Sequence, residues 1–285
     1  MERIELLEDL RQRVAEWRAA GRRVALVPTM GNLHRGHLSL IEEACRRADR
    51  VVATIFVNPL QFGPSEDLDA YPRTLVEDQR RLMEAGCDLL FTPTSQVMYP
   101  NGQESQTRIE VPELSDILCG ATRPGHFVGV ATVVCKLFNM AQPDVALFGE
   151  KDFQQLLVIR RMVADLNMPI EIVGVPIARE SDGLAMSSRN GYLTAEERAL
   201  APGLHRALLG VESVLAAGAS ISEVEAATAA AIGEAGLRPD YISIRAAADL
   251  APAAETDEDL VVLAAAYLGR ARLIDNLRIR RTAAR

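Results

Sequence analysis

Ten residues near the start of the chain, Pro28-Thr-Met-Gly-Asn-Leu-His-Arg-Gly-His37, put two of the four histidines into one turn beside two glycines. A spacing of three sets His34 and His37 on one side of a helical turn. The apolar run Val24–Val27 before them reads as a short buried strand. The periodic segment His37–Ala48 after them reads as a helix, with Leu38, Ile41 and Cys45 as its stripe. The motif is therefore a strand end, a tight turn and a helix start. A helix N-terminus offers unpaired N–H groups and partial positive charge, which together suit phosphate. Imidazoles placed there can hydrogen-bond phosphate oxygens and stabilise the charge on a leaving pyrophosphate. Gly36 keeps side-chain bulk away from a nucleotide. The string is neither a GxGxxG fingerprint nor a Walker A loop. Two histidines could also contribute to a zinc site, but no third ligand is evident.

A second string, Phe148-Gly-Glu-Lys-Asp-Phe-Gln-Gln155, again runs from a strand end into a helix. Of 31 basic residues only Lys136 and Lys151 are lysines, so each invites inspection. At the carboxyl edge of a sheet Lys151 would act as a point charge for phosphate. Asp152 could accept ribose hydroxyls, and Gln155, four residues after Lys151, could share its pocket. A third string, Met186-Ser-Ser-Arg-Asn190, follows an Asp182–Gly183 turn. Ser187, Ser188 and Arg189 together can embrace a polyphosphate, and the segment reads as a mobile lid.

These strings need a scaffold that puts strand ends together. Segment 3–20 reads as an amphipathic helix, Val51–Val57 as a continuous apolar strand and residues 74–85 as a helix. Asp88–Phe91 reads as a strand, and Pro93–Gly125 as loop with a short acidic helix. Val128–Met140 and Asp152–Leu166 read as helices, Val145–Phe148 and Glu171–Val175 as strands. Continuous apolar strands alternating with helices imply an α/β fold, a Rossmann-like doubly wound parallel sheet with right-handed crossovers. After Pro176 the character changes. Residues 195–236 are alanine-rich and helical, and Tyr241–Arg245, Leu260–Leu268 and Ala271–Ile279 look like strands. The expected organisation is a Rossmann-like nucleotide-binding domain over 1–176 and a smaller α+β lid domain over 177–285.

The chain has 285 residues, a formal charge of -8, 48% hydrophobic and 5% aromatic residues. Aliphatic side chains must therefore fill the core, and an acidic chain does not suit a nucleic-acid or membrane-surface binder. No apolar run is long enough to span a bilayer. Cys45, Cys87, Cys119 and Cys135 form no CxxC pair and read as buried free thiols of a cytoplasmic protein. The basic end (Arg278, Arg280, Arg281, Arg285) reads as solvated.

The HxGH turn is similar to that of the nucleotidyltransferase superfamily that includes class I aminoacyl-tRNA synthetases. The Met-Ser-Ser-Arg loop resembles that superfamily's second signature, with Ala185 and Arg189 where lysines often stand. With two further strings, Asn-Pro-Leu-Gln-Phe-Gly at 58–63 and Arg-Pro-Gly-His-Phe-Val-Gly-Val at 123–130, the chain resembles the pantothenate synthetase (pantoate–β-alanine ligase) family. That resemblance implies an AMP-forming ligase. Pantoate's carboxylate attacks the α-phosphorus of Mg-ATP, and the amine of β-alanine then displaces AMP from pantoyl adenylate. It implies catalytic roles for His37, His34 and Lys151. It implies an ATP site made of Met30, Gly31, Asn32, Leu33, His34, Arg35, Gly36 and His37, with Gly149, Glu150, Lys151 and Asp152. Met186, Ser187, Ser188 and Arg189 would close round it, and the backbone of Ala178 would meet adenine. Gln61 and Gln155 would hold pantoate as neutral partners that leave its carboxylate nucleophilic, with Asn58, Tyr71 and Arg123 as weaker candidates. Gln61–Tyr71 would close over the adenylate. Mg2+ would come with ATP and have no protein ligand, since triphosphate oxygens and water can hold it. The family also implies a homodimer. The alternative within the superfamily is a nucleotidyltransferase that releases an adenylylated product.

Overall fold

The computed structural model describes residues 1–64, 66–254 and 256–281. It divides into two compact units, Met1–Glu150 with Gln155–Pro176, and Lys151–Gln154 with Ile177–Arg285.

In the first unit the order is β1 (Glu2–Ile4), α1 (Leu7–Ala19), β2 (Val24–Thr29), α2 (Arg35–Arg47), β3 (Arg50–Ile55), α3 (Leu75–Glu84) and β4 (Leu89–Phe91). The short helices α4 (Ser95–Met98) and α5 (Cys119–Thr122) follow, then α6 (His126–Ala141), β5 (Val145–Gly149), α7 (Phe153–Asp165) and β6 (Glu171–Val175). The sheet order is β1-β4-β3-β2-β5-β6, and every pairing is parallel. The central strands read as continuous apolar runs because helices cover both faces; Val24, Ala25, Leu26 and Val27 are all fully buried. Leu33, Ile41, Leu82, Leu90 and Leu147 pack into one core with Ala25 and Val27. The chain winds outward from β2 through β3 and β4, then returns to lay β5 on the other side of β2. The switch point of the sheet therefore lies between the carboxyl ends of β2 and β5, the place where ligands bind in such sheets.

Several expectations need correction. Residues 2–4 are an edge strand against β4, not the start of a helix; strand pairing outweighs the helical spacing of Ile4 with Leu7. Helix α2 starts at Arg35, and its buried face is Leu40, Ile41 and Ala44 rather than Leu38 and Cys45. That rotation leaves Cys45 exposed, and Cys135 is only half-buried; Cys87 and Cys119 are buried, and all four are free thiols. Burial pushes the Cys87 thiol up to about 12. Between Pro93 and Gly125, where one short acidic helix was expected, the short helices are α4 and α5, and neither carries an acidic residue.

The second unit packs α8 (Ala195–Leu200), α9 (Gly203–Leu209), α10 (Val211–Ala216) and α11 (Ile221–Glu234) with an antiparallel sheet. The sheet order is β7 (Arg238–Ala246), β8 (Asp259–Leu268), β9 (Ala271–Arg280). Leu204, Leu208, Val224, Ile232, Val262, Leu268 and Leu273 fill the core between helices and sheet. Arg278 and Arg280 lie within β9, Arg278 pairing with Asp259 of β8, so the basic end begins in a strand. Arg285 lies outside the described residues. Among the described residues no helix is long and apolar enough to cross a membrane.

Candidate active site

The turn between β2 and α2 leaves the switch point. Thr29 Oγ1 donates to the Thr54 carbonyl at 2.7 Å and accepts the Gly31 N–H at 3.2 Å. Gly31 has φ +84°, and a Cβ there would stand 3.1 Å from Ile55 Cγ2 and 3.2 Å from Asp78 Oδ2. Only glycine combines that backbone with that approach. Beneath the turn lies Asp78, 1% exposed, on the buried face of α3. Its carboxylate accepts the N–H groups of Asn32 at 2.9 Å and Leu33 at 2.7 Å, and the Thr74 hydroxyl at 3.0 Å. Arg81 of the same helix donates to the Leu33 carbonyl. Leu33, with its side chain buried and both backbone groups engaged, shapes the turn from below.

The histidines cap the helix that follows. His34 is the N-cap; its Nδ1 accepts the Gly36 N–H at 3.2 Å, and His37 Nδ1 accepts the His34 N–H at 3.3 Å. This is a capping box with imidazoles in place of the usual hydroxyl and carboxylate. A ring nitrogen that accepts from an amide carries no hydrogen, so both neutral rings hold their proton on Nε2. The ring centroids are 4.1 Å apart. The N–H groups of His37 and Leu38 already reach the His34 carbonyl, at 2.8 and 3.2 Å. The expectation of open helix-terminal amides is therefore revised. The capping box takes up the His34 and Gly36 N–H groups, and the His34 carbonyl takes up those of His37 and Leu38.

The loop after β3 supplies the amides. Asn58 is 1% exposed and fully satisfied. Its Nδ2 donates to Gln61 Oε1 and to the Gly129 carbonyl, both at 3.1 Å. Its Oδ1 accepts Tyr99 OH at 2.6 Å and the Leu60 N–H at 3.3 Å. Those four bonds exhaust an asparagine's capacity and fix the loop. Gln61 turns its Nε2 to Met30 Sδ at 3.0 Å. That contact brings the pantoate candidate beside the histidine turn. The Gln61 carbonyl accepts His126 Nδ1 at 2.8 Å and Arg123 Nη2 at 3.4 Å. Arginine only donates, so its 3.0 Å contact with His126 Nε2 assigns the His126 hydrogen to Nδ1. Arg123 also forms a two-pronged pair with Glu66 at 2.7 and 2.6 Å. Tyr71 is 5% exposed, its ring edge-on to Phe62.

Gly149 ends β5, and Glu150 follows at the same edge of the first unit. Lys151 and Asp152 lie in a 3-10 turn over Glu150–Asp152, ahead of α7, and Gln155 lies in the first turn of α7.

In the second unit, residues 178–186 form a hairpin. Met186 N–H donates to the Ala178 carbonyl at 2.9 Å, and Arg179 bridges to Ala185. Ser187 caps the next 3-10 turn, Ser188–Tyr192, by accepting the Arg189 N–H at 3.3 Å. Lys151, Ser187, Asn190 and Asp275 line one cavity of about 10 Å³, the size of a water molecule. The second and third strings meet there. Among the described residues no group of three or more His, Cys, Asp or Glu could hold a metal ion.

Asp78, Tyr99, Glu66 and His126 escaped sequence reasoning. Asp78 alone left a signal there, as a carboxylate on the same helical face as Leu75 and Leu82. Lys136 is accounted for within the first unit by Gln106 at 3.1 Å and the Tyr99 ring.

The family model described as Pantoate-beta-alanine ligase matches residues 2–278. The pantothenate synthetase of Shewanella amazonensis is 62% identical over 95% of this chain and 97% of its own. That of Azotobacter vinelandii is 60% identical over 97% and 98%. A crystal structure of pantothenate synthetase from Thermus thermophilus superposes with a TM-score of 0.88 at 50% identity, covering 97% of this chain and 99% of its own. The pantoate-beta-alanine ligase of Francisella tularensis, complexed with beta-gamma ATP and β-alanine, superposes with a TM-score of 0.80 at 32% identity, covering 97% of each chain.

Proposed function

The chain belongs to the pantoate–β-alanine ligase family, and we propose that it condenses (R)-pantoate with β-alanine to pantothenate, converting ATP to AMP and pyrophosphate through pantoyl adenylate. The observation that carries this reading is the contact of Gln61 with Met30. It supports the reading by setting a neutral amide beside the turn that carries both histidines.

In this reading the Nε2–H groups of His34 and His37 donate to phosphate oxygens as negative charge grows on the pyrophosphate. Lys151 adds a point charge, and Ser187, Ser188 and Arg189 add hydroxyl and guanidinium donors. Met30–His37, Gly149–Asp152, Ala178 and Met186 complete the ATP set. Pantoate's carboxylate attacks the α-phosphorus, and the bond to the pyrophosphate oxygen breaks. Gln61 and Gln155 orient pantoate without a strong cation that would lower its nucleophilicity. The amine of β-alanine then attacks the acyl carbon, and AMP leaves. Such chemistry needs positioning and charge stabilisation more than covalent help. Mg2+ would supply charge neutralisation on the triphosphate. The site groups are imidazole, ammonium, amide and hydroxyl donors that suit phosphate rather than metal, so phosphate oxygens and water would ligate it. A homodimer in the cytoplasm completes the reading, and sedimentation equilibrium checks the stoichiometry.

Isotope exchange between pyrophosphate and ATP tests it. Exchange that depends on pantoate, with AMP released once β-alanine is added, is the expected result. Exchange that ignores pantoate but answers another acceptor refutes the reading.

A further inference from the structure

Strand β9 carries two consecutive buried polar residues, Asp275 and Asn276, each 4% exposed, opposite Ala264 and Leu263 of β8. Apolar residues would fit that environment, and a buried polar group costs stability unless it is bonded. Both are bonded. Asn276 Nδ2 donates to the Lys151 carbonyl at 3.0 Å. The Asn276 backbone is clamped on both sides. Its N–H goes to Asp275 Oδ1 at 2.8 Å, and its carbonyl accepts Arg179 Nη2 at 3.4 Å. Arg179 holds Asp275 through two bonds, at 2.7 and 2.9 Å, and also reaches the Gly183 carbonyl at 3.1 Å. His205 Nδ1 stands 3.4 Å from Asp275 Oδ2.

We propose that Asn276, fixed by the Arg179–Asp275 pair, is a positioning residue that sets the backbone of Lys151 and so aims its ammonium at the phosphates. The inference rests on the reading of Lys151 as a phosphate-binding residue. A lysine side chain is long and flexible, and its reach is reproducible only when its Cα is fixed. Residues 150–152 form a single 3-10 turn. The Asn276 amide reaches the Lys151 carbonyl of that turn from another element, and so ties the Lys151 backbone to β9. The bond belongs to the main chain of Lys151, so replacing the lysine side chain leaves it in place. The effect of breaking it must then disappear when no ammonium is there to aim.

The composition provides a direct probe, because Lys136 and Lys151 are the only lysines. Lysine labelled with 13C at Cε gives two resonances in the full-length protein, assigned by Lys136→Arg and Lys151→Arg. Inorganic pyrophosphate is the titrant. In the parent protein the Lys151 resonance is expected to move and that of Lys136 to stay. Asn276→Asp replaces the donor with an acceptor against the Lys151 carbonyl. It is expected to weaken the pyrophosphate response of Lys151 at least fivefold and slow pantoate-dependent exchange about tenfold, with the KM for pantoate within twofold. In a Lys151→Ala background the same substitution is expected to change exchange less than twofold. If Lys151 in the parent ignores pyrophosphate, the phosphate role fails and the inference with it. If the parent responds and Asn276→Asp responds equally, or if the substitution costs the same factor in both backgrounds, the positioning role alone is refuted. Asn276→Ser, with a smaller donor of shorter reach, is measured in the same way should the aspartate variant not fold.

Discussion

Gly129 sits inside α6, where alanine ordinarily stabilises a helix by about 0.5–1 kcal/mol relative to glycine. Here the sign reverses. A Cβ at 129 would stand 2.3 Å from the Leu60 carbonyl oxygen, 2.5 Å from its carbon and 2.7 Å from the Gln61 nitrogen. All three are backbone atoms, so no rotamer change relieves them. An ordinary carbon–oxygen contact needs about 3.3 Å, and the Leu60–Gln61 peptide must therefore retreat by about 1 Å. That retreat pulls on the Asn58 bond to the Gly129 carbonyl and moves Gln61 off Met30. Overpacking of this kind costs about 1–3 kcal/mol, and a 1 Å misplacement of a substrate-holding group costs about a hundredfold in rate. Gly129→Ala is expected to lower stability in urea by that amount and to raise the pantoate KM or slow single-turnover adenylation. Gly233→Ala in α11 is the control. Nothing lies within 4 Å of its Cβ position, and it should be neutral or stabilising. If Gly129→Ala matched Gly233→Ala in stability and left pantoate kinetics alone, the argument that helix α6 supports the Gln61 loop would be refuted.

His37→Ala and Lys151→Ala should each slow the adenylation step about a hundredfold or more, read by single-turnover quench; parent rates would remove them from the mechanism. His34→Asn retains a good N-cap and should keep stability within about 0.5 kcal/mol while losing most exchange activity, whereas His34→Ala should also lose about 1 kcal/mol of stability in urea. Asp78→Asn replaces an acceptor with a donor facing two N–H groups; about 2–4 kcal/mol of destabilisation is expected from charge-assisted bonds lost in the interior. For Asp275, burial pushes the carboxyl up, but the close approach of His205 and the two bonds from Arg179 outweigh it and hold the carboxyl below its ordinary value. A depressed folded pKa means the unfolded chain binds the proton first. Stability from this group is thus present above about pH 4 and lost as pH falls below it. Asp275→Asn should flatten the acid limb of a stability–pH curve; an unchanged slope would show that the group does not couple to folding.

What could be read from residues alone follows a physical line. Parallel strands buried on both faces announce themselves as apolar runs, so β2, β3, β5 and β6 were legible. A three-residue edge strand such as β1 was not, because its pairing with β4 depends on a partner far along the chain. The histidine turn and Lys151 stood out through rarity of type and local spacing. Gln61 had no such local mark and rested on the family pattern. Its environment is assembled from Asn58, Tyr99, Arg123 and His126, which meet only when α6 packs on the 58–61 turn.

The capping box illustrates the limit most sharply. Spacing placed His34 and His37 on one face, which was enough to propose phosphate binding by amides and imidazoles together. It did not say which nitrogen would carry the hydrogen. Once each Nδ1 accepts from the backbone, the neutral ring has one donor, at Nε2. Reversing the tautomer would break both caps, at about 1 kcal/mol each. The same two bonds therefore stabilise the start of α2 and set the chemical character of the site. That coupling separates His34→Asn from His34→Ala: an asparagine Oδ1 can replace Nδ1 toward Gly36, but nothing in its side chain reaches where Nε2 stood.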